Sequence, residues 1–72
     1  MNLLNKLLED LPFLMRDEEE TFEEVNIDKI CVTHVSDKAA FIDDNWIPKS
    51  QMRVGIDEQS LYVADWLYRK HF

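Results

Sequence analysis

The sequence is poor in the residues from which small reactive sites are built. It has one cysteine, one glycine, two prolines and two histidines in 72 residues. A single cysteine, Cys31, excludes an internal disulfide and points to a reducing compartment, here the cytoplasm. The lone Gly55 excludes a glycine-rich phosphate cradle. No apolar run approaches the ~18 residues that span a bilayer, so no membrane association is expected. The first ten residues are amphipathic, carry one lysine and lack a small-residue cleavage site, unlike a signal peptide. Positive charge is scarce: eight Lys and Arg against fifteen Asp and Glu leave a net charge of −7. That balance repels phosphate.

What is present is apolar and acidic. Hydrophobic residues make up 46% of the chain, enough for a core in one small domain, residues 1–72. Leu3, Leu4, Leu7, Leu8 and Leu11 recur on one helical face, with Asn2 placed to cap it. An amphipathic helix is therefore expected within residues 1–16, stopping or kinking at Leu11 and restarting at Pro12. The stripe covers the protein's own sheet, docks on a partner or, through Leu3, Leu7 and Leu11, pairs with a second copy in a homodimeric structural or regulatory protein. Residues 17–24 (DEEETFEE) read as an acidic connector, either a helical turn or an extended linker.

From Val25 onward the pattern is β. Ile30 to Val35 is rich in β-branched residues, and Ser36-Asp37-Lys38 makes a reversal. Residues 38–42 return, Asp43-Asp44-Asn45 turns, and Trp46-Ile47 opens a third strand that residues 51–54 continue past an edge or bulge at Pro48. After a turn at residues 57–60, Leu61-Tyr62-Val63 forms a fourth strand. Asp65 is placed to cap a short terminal helix over residues 66–70. The expected fold is α+β: an N-terminal amphipathic helix, a four-stranded antiparallel meander or small open β-barrel, and a short C-terminal helix. Its core should hold Leu4, Leu7, Leu8, Leu11, Ile30, Val32, Phe41, Ile47, Val54, Leu61, Val63, Trp66 and Leu67.

Reactive constellations do not assemble from these elements. Cys31 and His34 on a strand would point to opposite faces, and zinc wants about four converging ligands. Cys31 is better read as a small buried hydrophobe and His34 as a partly exposed strand residue. Ser50 and Ser60 sit in turns, where hydroxyls bond to backbone. Asp43 and Asp44 are adjacent on a turn and diverge. No enzymatic activity, cofactor or metal is expected.

Trp46-Ile47-Pro48-Lys49-Ser50-Gln51, preceded by Lys38-Ala39-Ala40 and followed by Trp66-Leu67, resembles a group of small, mostly uncharacterised proteins of phages and mobile elements. Those proteins carry a WIPKSQ-type string after a short hairpin and a terminal Trp-Leu. The similarity covers roughly residues 27–68. It implies a small β domain and a nucleic-acid-related or host-defence-related setting, and it supplies no catalytic residue.

Two charge features remain. The six carboxylates of residues 17–24, Asp17, Glu18, Glu19, Glu20, Glu23 and Glu24, would span about 12 Å as a helix. That is roughly 0.5 charge per Å against about 0.6 for duplex DNA. The plain interpretation is a solvated run that keeps a small protein in solution. The functional one is an acidic docking surface, or an anionic decoy, for a basic nucleic-acid-handling host protein such as a CRISPR effector or other defence nuclease. The protein would bind and inhibit it, with Asp43, Asp44, Asp57 and Glu58 adding carboxylates at two turns and Phe22, Trp46 and the outer edge of the Leu stripe adding apolar anchors. The second feature is Trp46 with Lys49 and Arg53, a stacking ring beside two cations, which suits direct binding of single-stranded nucleic acid. Dispersal of the remaining basic residues among acids makes that the weaker alternative.

Overall fold

The structure, a computed structural model, describes residues 3–72; the cap expected at Asn2 lies outside them. The first helix, α1 (Leu3–Asp10), buries Leu7 and Leu8, and Leu11 is buried just beyond its end. Pro12 ends the helix as expected, because proline disfavours helical geometry at the residue before it. The chain does not restart as a helix. Residues 12–14 run extended instead, with the Leu14 N–H donating to the Val54 carbonyl (2.8 Å) and the Val54 N–H to the Pro12 carbonyl (2.9 Å). Leu7 and Leu11 lie in the chain's own core and Leu3 is exposed, so the stripe first weighed as a dimer face is largely consumed within the protein.

Six strands follow, not four. They are β1 (Phe22–Val25), β2 (Val32–Val35), β3 (Ala39–Ile42), β4 (Asn45–Pro48), β5 (Met52–Val54) and β6 (Leu61–Ala64), closed by the helix α2 (Asp65–His71). They form two three-stranded antiparallel sheets, β1-β6-β5 and β2-β3-β4, and no closed barrel among the described residues. The expected third strand is really two. Pro48 ends β4, and a 3-10 turn over Lys49–Gln51 passes the chain from one sheet to the other. The expected acidic connector is also divided. Arg16–Glu18 is a 3-10 turn, and Phe22–Val25 is an edge strand paired with β6.

Both sheets give one face to a common core. Val25, Met52, Val54, Leu61 and Val63 come from the first, Ala40, Ile42 and Ile47 from the second, and Leu7, Leu8 and Leu67 from the helices. An irregularity in β2 between Val32 and His34 shifts its register by one, so that Val32 and Val35 both pack against this core. Phe41 and Trp66, expected inside, are not buried. Phe41 alternates with the buried Ala40 and Ile42, and Trp66 lies on the outer side of α2, 57% exposed. Cys31 is exposed, outside β2 rather than within it. The cap of α2 is Ala64, with Asp65 in the first turn, ion-paired to Arg69 at 3.2 Å.

The turns explain several polar residues. Asp43 and Asp44 form a two-residue hairpin loop between the paired residues Ile42 and Asn45, both with left-handed backbone (φ 49° and 68°), as hairpin twist demands. The Asp43 carboxylate also accepts the Cys31 N–H at 2.9 Å, tying the start of β2 to this turn. Gly55 opens the loop between β5 and β6. A Cβ there would stand 3.0 Å from the Ser60 Cβ and 3.3 Å from the Tyr62 ring, so glycine is needed for close approach.

Two outcomes follow for stability. Gly55→Ala should cost about 1–3 kcal/mol through overpacking, read as a lowered denaturation midpoint. Asp44→Gly should add up to about 1 kcal/mol by relieving the left-handed aspartate. Asp43→Gly should gain less than Asp44→Gly, because relief of its left-handed backbone is offset by loss of the acceptor for the Cys31 N–H; an equal or larger gain would contradict the assigned bond.

Candidate interaction surface

The acidic segment is held in place by one guanidinium. Arg53, on β5, lies on the sheet face opposite the core, since its neighbours Met52 and Val54 point inward. Its Nε and Nη2 donate to the Glu18 carboxylate at 3.1 and 2.9 Å, and its Nη1 donates to the carbonyls of Ser50 (2.9 Å) and Met52 (2.7 Å). The guanidinium carbon stands 4.8 Å from the centre of the Phe22 ring on β1. Glu18 also accepts the Met15 N–H at 3.1 Å and so closes its own 3-10 turn. These bonds fix the segment from Met15 to Phe22 against the sheet. Arg53 and then the Met15 N–H hold the Glu18 carboxyl below its ordinary value of 4.5.

With Glu18 committed, the remaining carboxylates of the segment face water. Asp17, Glu19 and Glu20 are exposed on the turn before β1, and Glu23 and Glu24 are exposed on β1 itself. Glu19 and Glu24, from the turn before β1 and from β1 itself, and Asp57, from the loop between β5 and β6, all act on the Tyr62 hydroxyl. Burial first, and then these three negative charges, raise its pKa above 10.0. Tyr62 therefore reports a convergence of negative potential on the outer face of the first sheet. Leu14, Glu19, Ile56, Asp57 and Tyr62 line a shallow depression there, and Ile56 beside it is 87% exposed. Asp57 is held below its ordinary value of 3.8 by the N–H of Gln59 and the hydroxyl of Ser60.

The remaining candidate residues lie elsewhere. Asp43, Asp44 and Trp46 belong to the second sheet, away from the β1 segment in the strand order. Asp43 is engaged by the turn, and Trp46 is 55% exposed. Trp46 pairs with Phe41 and Phe41 with His34 across three strands, with ring centres 5.1 and 5.8 Å apart. His34 and Trp46 lie 6.3 Å apart, nearly parallel. The cations assigned to the nucleic-acid alternative are both occupied. Lys49 Nζ bonds to Asp10 at 3.2 Å, with its side chain 13% exposed, and Arg53, on the first sheet, bonds to Glu18. Asp57 is expected from the sequence as an added carboxylate at a turn, whereas Tyr62 and the aromatic row are not singled out there. The two-residue Asp43-Asp44 loop was the available signal for the row, since it fixes Phe41 opposite Trp46.

Among the described residues no group of three or more His, Cys, Asp or Glu is placed to hold a metal ion, and no helix is long and apolar enough to cross a membrane. Comparison with family models, curated proteins and solved structures finds no match for this chain.

The electrostatics give two checkable outcomes. Glu18 and Asp57 have lowered folded-state pKa values, so their stabilisation is complete above the ordinary carboxylate range and is lost as pH falls through the folded values. Glu18→Gln and Asp57→Asn should each flatten the fall in stability below about pH 4.5, followed by denaturant midpoint against pH. The Tyr62 phenol should ionise above 10.0, and Glu24→Gln should lower that value at low salt. An unmoved titration in the Glu24→Gln protein would remove the convergent field.

Proposed function

We propose that this chain is a non-enzymatic interaction protein of phage type. It binds and inhibits a basic nucleic-acid-handling host protein, a CRISPR effector or other defence nuclease, in the host cytoplasm. The observation that carries this reading is the grouping of exposed Glu19, Glu24 and Asp57 around Tyr62. Glu24 is opposite Tyr62 in register, Glu19 and Asp57 line the depression beside it, and Arg53 pins the turn that holds Glu19. A rigid anionic surface loses less side-chain and loop entropy on binding than a solvated tail. Its field steers a cationic partner and is screened by salt. Exposed Ile56 and Met15, on the segments flanking the acids, supply the apolar contact that charge alone lacks. The mobile-element setting comes from the WIPKSQ-type resemblance alone.

Direct binding of single-stranded nucleic acid is the second reading. The row of exposed His34, half-buried Phe41 and exposed Trp46 favours it by offering rings for stacking. The engagement of Lys49 and Arg53 by carboxylates weighs against it.

Affinity capture from host lysate tests the first reading. The protein should retain a basic nucleic-acid-handling protein at about 50 mM salt and release it near 1 M. A Glu19→Lys/Glu20→Lys variant should lose that capture while keeping its fold. Recovery of no basic protein at low salt, or retention indifferent to the charge reversal, would overturn the proposal. Quenching of Trp46 fluorescence in a Trp66→Phe protein by a single-stranded oligonucleotide at about 50 mM salt, lost when Lys49→Glu is added, would support the second reading instead.

A further inference from the structure

The first sheet has one covered edge and one open edge. Residues 12–14 cover β5 through the bonds to Val54. On the other side β1 pairs only with β6, and no strand lies beyond it among the described residues.

The phase of the pairing can be fixed. Antiparallel residues alternate between pairs that exchange backbone bonds with each other and pairs whose N–H and C=O groups point away. The Asp65 N–H donates to the Thr21 carbonyl at 2.8 Å. With Phe22 opposite Ala64 and Glu23 opposite Val63, the backbone groups of Glu23 and Val25 therefore meet β6. Those of Phe22 and Glu24 point to the open edge. The far side of β6 agrees: the Gly55 N–H donates to the Ser60 carbonyl at 2.9 Å, which turns the backbone of Tyr62 toward Arg53 and away from β1. Among the described residues, no group bonds to the outward N–H and C=O of Phe22 and Glu24.

The side chains on this edge select its occupant. β1 reads Phe22-Glu23-Glu24-Val25, apolar-acid-acid-apolar, with both glutamates exposed. Alternation places Glu23 and Glu24 on opposite faces of the sheet. A second copy pairing antiparallel here, in the phase the outward groups allow, would set Glu23 against the second Glu23 or Glu24 against the second Glu24, and like charges directly opposite are destabilising. The complementary strand is apolar-basic-basic-apolar. That pattern reads the same in both directions, so it matches β1 in a parallel or an antiparallel approach.

We propose that β1 is a docking edge that accepts an extended segment of a basic protein carrying two consecutive Lys or Arg residues between apolar ones. The backbone of Phe22 and Glu24 adds the segment as a fourth strand, and Glu23 and Glu24 each take one cation on opposite faces. This rests on the reading of the protein as a binder of a basic partner, and it specifies how that partner is held.

The test uses the full chain and a synthetic peptide containing Val-Lys-Arg-Val, with a Val-Glu-Glu-Val peptide as control. On titration by NMR at low salt, the amide protons of Phe22 and Glu24 should shift and slow their exchange with water. Those of Glu23 and Val25, already bonded to β6, should change little, and the acidic peptide should have no effect. A protein synthesised with a methyl group on the Glu24 backbone nitrogen keeps its charge and its β6 bonds. It should bind the basic peptide about tenfold more weakly, the loss expected for one hydrogen bond. Binding that moves only the amides around residues 17–20, or that tolerates the methyl group, would overturn the edge proposal and leave the acidic-surface reading standing. Absence of peptide binding together with capture of a basic protein from lysate has the same meaning. Absence of both defeats the two together.

Discussion

The bonds of the Arg53 guanidinium set the character of this molecule. One side chain grips the Glu18 carboxylate with two nitrogens, satisfies two backbone carbonyls and lies over the Phe22 ring. Arginine's planar fork does this where the point charge of lysine would not. The consequence is topological. An eight-residue segment with six carboxylates, which self-repulsion would otherwise leave solvated, becomes a turn followed by a sheet strand. Its free acids then stand at fixed positions instead of averaging over a tail.

The use of the basic residues follows from the same economy. Lys49, Arg53 and Arg69 each neutralise an acid within the fold, at Asp10, Glu18 and Asp65. Each joins segments or stabilises a helix. None of the three adds a free cation to the surface, and the net excess of negative charge stays outside. This is why the pair that looked like a phosphate grip, Lys49 and Arg53, reads as internal fastening once the fold is known. The aromatic row on the second sheet stands without those two cations.

Much of the architecture was legible in local chemistry. The Leu3 to Leu11 periodicity marked α1, Pro12 marked its end, and Ser36-Asp37-Lys38, Asp43-Asp44 and Asp57 to Ser60 marked three turns. The misses have physical causes. Phe22-Glu23-Glu24-Val25 has two glutamates at its centre, so its strand character depends on β6 and Arg53, distant partners that no local window shows. Lys49–Gln51 forms one tight turn, and the strands on either side of it looked like one interrupted strand. Phe41 and Ile47 were both placed in the core, although the Asp43-Asp44 hairpin puts Phe41 opposite Trp46 and Ala40 opposite Ile47. Paired residues share a face, so choosing Ile47 for the interior committed Phe41 to the outside. Of the candidate site, the carboxylates were visible in the sequence. Their convergence on Tyr62 and the open edge of β1 were not, because both depend on register.

The account stands or falls on whether the acidic segment is a pinned edge strand. Residue-resolved hydrogen exchange on the free protein measures this directly. An alternating pattern along β1 is expected: slow exchange at Glu23 and Val25, whose N–H groups bond to β6, and fast exchange at Phe22 and Glu24, whose N–H groups point to the open edge. Uniformly fast exchange from residue 17 to residue 25 would describe a solvated acidic tail and would contradict it.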